Sequence, residues 1–424
     1  MKNFLKSLVA HILGFLAHAV VRRYHPRIVM VTGSVGKTST KDAVAAVLSA
    51  RFFVRKSEKS FNTQFGVPFT ILGVENPWKN AFAWVSVAKK ALALLLLPNH
   101  YPNMLVLEVG ADKPGDLARI LRVVTPDAVV VTRLPLIPVH VEAYPSPEMV
   151  QEEEFSPAYT LAASAPLIVP DDDPYALDNA MRTSARVFSY GMTPHATVRI
   201  SDVGFDQYEG KVSGMRASIG TIGAQENIVV KGSVGVTQLL PLAAALAAAL
   251  AYDISLSEAV KTLESYEAPP GRGRLLAGKN GSIIIDDSYN SSPVAVEEAL
   301  KTLKTFPHAK RRIAVLGDML ELGRYSVMEH ERIAVLARES VDLIVTVGIR
   351  ARAFAATPRK AEIVQYTDSR AAARELPALI RAGDVILVKG SQSIRTERIV
   401  EALLADPSDM IKLVRQEKAW KKKM

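Results

Sequence analysis

A glycine turn followed by a lysine and two hydroxyls is the segment of this chain best suited to bind phosphate. Thr32–Ser39 reads TGSVGKTS and follows the apolar run Ile28–Val31, which predicts a buried strand, a tight turn and a helix start. That geometry points backbone N–H groups at anionic oxygens. The predicted binding residues are Gly33, Ser34, Val35, Gly36, Lys37, Thr38 and Ser39. The pattern predicts a nucleoside triphosphate site. An ordinary turn with a surface lysine is the alternative interpretation, because Val31 replaces the first glycine of the full motif.

Strands and helices alternate on both sides of a break in the chain, which predicts mostly parallel sheets. The predicted strands are Ile28–Val31, Met104–Leu107, Ala128–Val131, Leu167–Val169, Ile283–Ile285, Ile313–Leu316, Leu343–Val347 and Val385–Val388. Residues 197–231 predict an antiparallel patch, and the break at 268–274 holds two prolines and two glycines. The expected fold class is α/β, with a central P-loop parallel-sheet ATPase domain and a C-terminal Rossmann-like doubly wound domain. The expected domains are an N-terminal amphipathic helix over 1–26, a central domain over 27–270 and a C-terminal domain over 271–424.

Carboxylates and a histidine follow the strands of the first domain. Glu108 ends an apolar strand, where it would hold Mg²⁺ or serve as a helix cap. His140 lies in a proline-rich loop, as a metal ligand or simply as an exposed side chain. The run 152–154 is three glutamates, which predicts a solvated helix face or a carboxylate directed at the metal.

Three polar loops of the last domain follow strand candidates. The first begins at Asp286-Asp287, the second is the stretch 317–323, and the third begins at Lys389. Because the carboxyl ends of parallel strands lie on one edge of a sheet, the three loops predict a ligand site there.

Composition limits the classes of protein that the chain can represent. The 424 residues are 49% hydrophobic and 22% charged, and there is no cysteine, which excludes disulfides, thiolate metal sites and cysteine nucleophiles. The net charge of +9 favours anionic partners, but no aromatic–basic interleaving indicates nucleic acid.

Two apolar stretches, 4–21 and 81–97, carry basic residues within or beside them. The first has features of a signal peptide, but His11 and His18 interrupt it and ATP chemistry belongs in the cytosol. We therefore expect packed or membrane-surface helices in a cytoplasmic protein, which leaves open a peripheral contact with the inner face of the membrane.

Taken together, the motifs resemble the Mur ligase family, most closely its branch that adds a D-alanyl-D-alanine-type dipeptide. The matching strings are Thr32–Ser39, Asn62 with 66–68, 108–111, 140–142, 286–290 and 316–323 (LGDMLELG), followed by 387–391 (LVKGS). The resemblance implies an ATP-dependent amide ligase of peptidoglycan precursor synthesis. ATP would phosphorylate a muramyl-peptide carboxylate, and the dipeptide amine would attack the acyl phosphate. A folylpolyglutamate-type ligase and a non-catalytic nucleotide-binding subunit are the alternatives.

The resemblance also implies roles for individual residues, with ATP and Mg²⁺ as cofactors. Catalysis would involve Lys37, His140, Glu154 and Arg272. Metal ligands would be Thr38, Glu108, His140 and Glu154. The nucleotide would also contact Arg272 and Asp287, and the peptide substrates would contact Asn62, Tyr289, Asn290, Asp318, Glu321 and Lys389.

The chain departs from the family pattern in ways that bear on substrate and metal. Only about thirty residues precede the loop, too few for the family's UDP-sugar-binding domain. Glu154 lies where the family has a carbamylated lysine, fourteen residues after the metal histidine, so we hypothesise that its carboxylate replaces the carbamate, with Glu153 as the alternative register. Lys113 replaces a family histidine near the metal, and Thr237-Gln238 replaces a histidine–asparagine pair near the nucleotide.

Overall fold

The computed structural model describes residues 2–58, 61–77, 81–355 and 361–421. The strands in these ranges are β1 (Arg27–Thr32), β2 (Val54–Lys56), β3 (Met104–Glu108), β4 (Ala128–Val131), β5 (Pro166–Pro170), β6 (Arg186–Gly191), β7 (Val198–Tyr208), β8 (Lys211–Thr221), β9 (Ala224–Lys231), β10 (Arg274–Gly278), β11 (Ser282–Asp287), β12 (Arg311–Gly317), β13 (Leu343–Val347), β14 (Glu362–Tyr366) and β15 (Asp384–Lys389). The helices are α1 (Lys2–Tyr24), α2 (Lys37–Leu48), α3 (Gly66–Leu72), α4 (Ala81–Leu96), α5 (Asp116–Leu121), α6 (Pro147–Phe155), α7 (Pro174–Ala180), α8 (Val236–Ala251), α9 (Leu256–Leu263), α10 (Pro293–Thr305), α11 (Ser326–Ser340), α12 (Ser369–Glu375), α13 (Glu397–Leu403) and α14 (Lys418–Lys421).

The first sheet has the strand order β2-β3-β1-β4-β5-β6-β7-β8-β9. Its pairings from β2 through β7 are parallel. In strand β1 the residues after Arg27 are buried on both faces of the sheet, which is why Ile28–Val31 is a continuous apolar run rather than an alternating one. In the register, Val31 lies beside Glu108, and Thr32 lies beside Val131. The carboxyl ends of β1 and β3 therefore bring the glycine turn and Glu108 to one edge.

The second sheet has the order β10-β11-β15-β12-β13-β14. Strand β10 is antiparallel to β11, and the other pairings are parallel. Because β15 lies between β11 and β12, the carboxyl ends of these three strands are neighbours. The α/β fold class predicted from the alternation of strands and helices is confirmed.

The chain forms two compact units. The first contains 1–201, 219–226 and 240–266, and the second contains 202–218, 227–239 and 267–424. The segment predicted as an antiparallel patch forms β7, β8 and β9, and its residues are divided between the two units. A helix also occupies the N-terminus, over Lys2–Tyr24. In the part of the chain that the structure describes, no helix is both long enough and apolar enough to cross a membrane.

Candidate functional site

Two glycines give the phosphate loop its shape. Gly33 and Gly36 have φ angles of 115° and 91°, in the left-handed region that side chains other than glycine's rarely tolerate. Between them, the amides of Ser34 and Val35 donate to the carbonyl of Arg133 at 3.0 and 3.4 Å. Helix α2 begins at the residue after Gly36, so the lysine and hydroxyls of the motif lie in its first turn. The predicted strand, turn and helix start are therefore all present.

The carboxylate of Glu154 is held by the phosphate loop. One of its oxygens accepts from the amide of Gly33 at 3.2 Å and lies 2.9 Å from the hydroxyl of Thr32, which is also 2.6 Å from the Glu154 carbonyl. The other accepts from the amide of Ala111 at 3.4 Å and lies 3.5 Å from the amine of Lys37. That amine also donates to the carbonyl of Gly33. Four donors, one of them cationic, thus converge on a negatively charged group, and this donor chemistry fits a phosphate.

Glu153 has a different position from Glu154. Its two carboxylate oxygens accept from the amides of Gly115 and Leu117 at 2.9 and 3.0 Å, at the N-terminus of α5. A carboxylate there stabilises the helix by satisfying free N–H groups. Glu154, rather than the alternative Glu153, therefore contacts the phosphate loop.

Glu108 is buried at the end of β3, and residues that sequence reasoning did not select support it. Its amide donates to the hydroxyl of Ser57 at 3.1 Å. The carbonyl of Ser57 accepts from the amine of Lys41 at 2.7 Å, and Lys41 also pairs with Asp42 at 3.2 Å. The sequence holds one hint of the role of Lys41, which is that it lies one helical turn after Lys37. Its burial depends on the packing of α2 against β2 and β3, which no local pattern encodes.

Gly110 allows two predicted site residues to approach each other. Its amide donates to the carbonyl of Asn62 at 3.2 Å. A Cβ at this position would lie 3.2 Å from Cε of Lys37 and 3.3 Å from Nδ2 of Asn62. The missing side chain therefore leaves the space in which Lys37 and Asn62 come together. Thr38 is half-buried and Ser39 is buried in the same first turn of α2.

His140 lies near the exposed Asp112, with Nε2 3.6 Å from a carboxylate oxygen. Its φ of 69° places it at the start of a short 3-10 turn. Among the described residues, no group of three or more acidic or histidine side chains is arranged to hold a metal ion. Glu108, His140 and Glu154 are thus not gathered into one cluster, and their roles as metal ligands stay predictions, as does that of Thr38.

In the second unit, a buried aspartate ends strand β11. Asp286 accepts from the amide and the hydroxyl of Ser288 at 3.1 and 2.5 Å. Its other oxygen has no hydrogen-bond partner among the described residues. Burial raises the pKa of Asp286 to about 6, because the charged form loses its hydration, although the two bonds from Ser288 oppose the change.

The neighbouring Asp287 forms an ion pair with Lys389. The two residues face each other across β11 and β15, with the amine 2.6 Å from the carboxylate. The same amine donates to the carbonyl of Asn290 at 3.1 Å. Three residues predicted to bind ligand thus come together. Two of the three N–H donors of Lys389 are used by protein groups.

The LGDMLELG loop is tied to its neighbours by backbone contacts. A carboxylate oxygen of Asp318 accepts from the amide of Ala351 at 2.7 Å, and its carbonyl accepts from the amide of Ser391 at 3.0 Å. The Ser391 hydroxyl accepts from the amide of Leu320 at 2.9 Å. Glu321 has a φ of 65°, which marks the tip of the turn. The loops after β12, β13 and β15 are therefore connected at one sheet edge.

A buried histidine that sequence reasoning missed also holds this loop. Nε2 of His330 accepts from the amide of Met319 at 3.0 Å, and Nδ1 donates to the carbonyl of Ser326 at 2.7 Å. Burial lowers the pKa of His330, which is consistent with the neutral ring that this pairing requires. Sequence alone could only place His330 on a helix.

Arg272 and a second arginine surround the tyrosine loop. The guanidinium of Arg272 lies 4.1 Å from the centre of the Tyr289 ring. Arg415, far along the chain, donates to the carbonyls of Ser288 and Tyr289 and pairs with Glu397 at 2.9 Å. The C-terminal segment thus fixes the loop that carries Tyr289, and no motif predicted this contact.

A phosphate loop on a parallel sheet, together with a second α/β unit that gathers polar loops at one sheet edge, defines a nucleotide-dependent enzyme of two α/β units. Residues 31–249 match the Mur ligase middle domain, and residues 271–392 match the Mur ligase glutamate ligase domain. The chain belongs to the Mur ligase family, as the resemblance of its motifs predicted.

Similar proteins agree with this assignment. The chain is 28% identical over 398 residues to the UDP-N-acetylmuramoyl-tripeptide–D-alanyl-D-alanine ligase of Bacillus subtilis, covering 92% of this chain and 79% of that protein. The fold resembles MurF ligase from Thermotoga maritima solved in complex with ADP, with a TM-score of 0.74, 24% identity and coverage of 93% and 83%. It also resembles MurF from Acinetobacter baumannii, with a TM-score of 0.76, 22% identity and coverage of 95% and 80%.

Proposed function

We propose that this protein is an ATP-dependent amide ligase of peptidoglycan precursor synthesis. It joins a D-alanyl-D-alanine-type dipeptide to a muramyl-peptide carboxylate through an acyl phosphate. The convergence of the Gly33 and Ala111 amides, the Thr32 hydroxyl and the Lys37 amine on one anionic group carries the proposal. The name of the Bacillus subtilis relative supplies the reaction.

Each side chain of the loop has a defined task in this reaction. The amides of the loop and of the first turn of α2 bind phosphate oxygens, which neutralises charge without any rearrangement of solvent. Lys37 stabilises the negative charge that develops as the phosphoryl group passes to the carboxylate. In the second unit, Asp287 binds the ribose, Arg272 approaches the phosphates, and the loops that carry Tyr289, Asn290, Asp318, Glu321 and Lys389 receive the peptide substrates.

The first unit's sheet edge supplies hydroxyl and carboxylate oxygens, which are the donors that Mg²⁺ prefers, together with one imidazole. Thr38, Glu108, His140 and Glu154 would hold it. The ion would neutralise phosphate charge and polarise the transferred group. Glu154 supplies a carboxylate where the family resemblance implies a carbamate, so the site works without carbon dioxide.

A pair of Glu154 variants tests that replacement. Glu154→Ala removes the anionic group and should lower kcat about a hundredfold. Glu154→Lys should be equally inactive without bicarbonate and should recover activity with it, because only the lysine can be carbamylated. Glu153→Ala is the matched control, since its contacts are with α5. Full activity of Glu154→Ala would contradict the role.

The reaction itself is tested by ADP release and product mass. A panel of muramyl-peptide carboxylates and of dipeptides is supplied singly and in pairs. A ligase releases ADP fully only when both substrates are present, and the product mass equals their sum minus water. Glutamate as the preferred amine would favour the folylpolyglutamate-type alternative. A rate of ADP release that does not change when either substrate is added would favour a non-catalytic subunit.

We also propose that the enzyme works in the cytoplasm at the inner face of the membrane. The basic net charge and the apolar stretches near the N-terminus support a peripheral contact.

A further inference from the structure

Helix α1 is apolar on two opposite faces. One face packs into the first unit through Leu13, Ala17 and Val20, which are almost completely buried. The other exposes Leu8, Ile12 and Phe15, and Phe15 is 72% exposed. These three follow the i, i+4, i+7 spacing that places residues on one side of a helix. A helix with a water-facing apolar stripe needs a second surface to cover it.

Helix α4 repeats this arrangement. Its inner face buries Val87, Ala91 and Leu94. Its outer face exposes four large apolar side chains: Phe82, Val85, Leu92 and Leu96. They recur at intervals of three, seven and four residues, so they form a second stripe along one side, with the exposed Lys89 in the middle.

The two helices are joined to each other. The hydroxyl of Tyr24, at the end of α1, donates to the carbonyl of Leu94 at 2.8 Å. The guanidinium of Arg23 donates to the carbonyls of Leu95 and Leu97. Both helices also pack against α3. We name the exposed apolar side chains of these joined helices the docking ridge, which consists of Leu8, Ile12, Phe15, Phe82, Val85, Leu92 and Leu96.

The charges on these helices select the partner. Neither α1 nor α4 contains an acidic residue. Their basic residues are Lys2, Lys6, Arg22, Arg23, Lys89 and Lys90. The guanidinium of Arg23 and the amine of Lys90 already donate to backbone carbonyls. Pairing the ridge with that of a second copy would bring two cationic surfaces together, which is unfavourable. An anionic lipid surface instead offers hydrocarbon to the ridge and phosphate to the exposed Arg22 and Lys89, whose long stems suit contact with headgroups.

We propose that the docking ridge binds an anionic phospholipid bilayer, with α1 and α4 lying in the interface rather than crossing it. The inference rests on the proposed membrane contact and names the residues that make it. Apolar burial and attraction to anionic headgroups add together, as in other interfacial helices. No ridge residue is among the partners of the phosphate loop described above, so we expect loss of lipid binding to leave ADP release unchanged.

Vesicle sedimentation with the full chain tests the proposal. Vesicles of phosphatidylglycerol and phosphatidylcholine should sediment the protein at low salt, and pure phosphatidylcholine should bind it at least tenfold less. Phe15→Ser with Leu96→Ser should lower the partition coefficient at least tenfold. Arg22→Glu with Lys89→Glu should remove most of the preference for anionic lipid. Ile222→Ser is the matched control, because that exposed side chain lies on the turn between β8 and β9.

Two further measurements separate the possible outcomes. ADP release should be unchanged in both double variants, so a failed ligase assay with intact lipid binding would refute only the proposed reaction. Circular dichroism establishes that the variants are folded. No sedimentation with anionic vesicles at low salt overturns the proposal. A dimer seen by light scattering and abolished by Phe15→Ser with Leu96→Ser would overturn it in favour of a second copy.

Discussion

Each unit places a lysine at a sheet edge beside a carboxylate, but the two pairs differ in their N–O distance and in which partner is exposed. In the first unit, Lys37 lies 3.5 Å from Glu154 and its side chain is 14% exposed. In the second, Lys389 lies 2.6 Å from Asp287 and is 2% exposed. Glu154 is 3% exposed and Asp287 is 17% exposed, so the more exposed partner is the lysine in the first pair and the carboxylate in the second. A long contact from a partly exposed lysine can be exchanged for an incoming anion, whereas a short contact from a buried lysine is part of the folded structure. Similar sequence positions thus support different tasks.

The largest expected effect comes from breaking the first pair. Lys37→Ala should lower kcat about a thousandfold, because it removes a cation from the site of phosphoryl transfer. The unfolding free energy should fall by only about 1 kcal/mol, because the buried Glu154 carboxylate loses its cation but keeps the amides of Gly33 and Ala111 as donors. Steady-state ADP release measures the first quantity, and urea unfolding measures the second. Lys56→Ala, an exposed lysine of the same unit, is the control, and activity above one-tenth of wild type would refute the role.

The buried aspartate beside the second pair predicts a dependence of stability on pH. Because the pKa of Asp286 is raised from 3.8 to about 6, the folded state binds its proton more tightly than the unfolded state does. The resulting stabilisation of the folded state is fully present below about pH 3.8 and is lost as the pH rises through 6. The unfolding free energy falls by about 3 kcal/mol over the whole range. Asp286→Asn should therefore gain about 2 kcal/mol relative to wild type between pH 4 and pH 6.5.

Urea unfolding followed by circular dichroism at several pH values measures this difference. The exposed Asp178→Asn substitution controls for the loss of one negative charge. A constant difference between wild type and Asp286→Asn across the range would show that Asp286 does not titrate there.

Breaking the second pair should affect stability more than chemistry. Lys389→Met leaves the carboxylate of Asp287 and the carbonyl of Asn290 without their donor, which should cost about 2 kcal/mol of unfolding free energy. Urea unfolding measures the loss, and kcat at low temperature should stay within about tenfold of wild type. A stable Lys389→Met variant with a greatly raised KM for the dipeptide would instead make the lysine a substrate ligand.

The smallest expected effect comes from a substitution that displaces Lys37 of the first pair without removing it. Gly110→Ala places a Cβ 3.2 Å from Cε of Lys37, so the amine must shift by a few tenths of an ångström. A shift of that size should lower kcat about tenfold. Gly220→Ala is the control, because no atom lies within 4 Å of its added Cβ. Unchanged kinetics of Gly110→Ala would show that the lysine position is not limiting.

Helices and strands were predictable from the sequence where the pattern of apolar residues matches the burial that the fold imposes. The apolar runs of β1, β3 and β4 are read directly from the sequence because strands of a parallel sheet are covered on both faces. Strand β2 was missed because its three residues are neither apolar nor alternating. Helix α2 begins at Lys37, directly after the glycine turn, so its first turn carries the polar residues of the motif.

The sequence by itself determined the phosphate loop, the α/β class and the family, because short-range spacing of glycine, lysine and apolar residues encodes them. Only the tertiary structure decided which glutamate contacts the loop, that Arg415 holds Tyr289, and that His330 supports the LGDMLELG loop. These contacts join residues far apart in the chain. They depend on how helices and strands pack, and no local pattern records that packing.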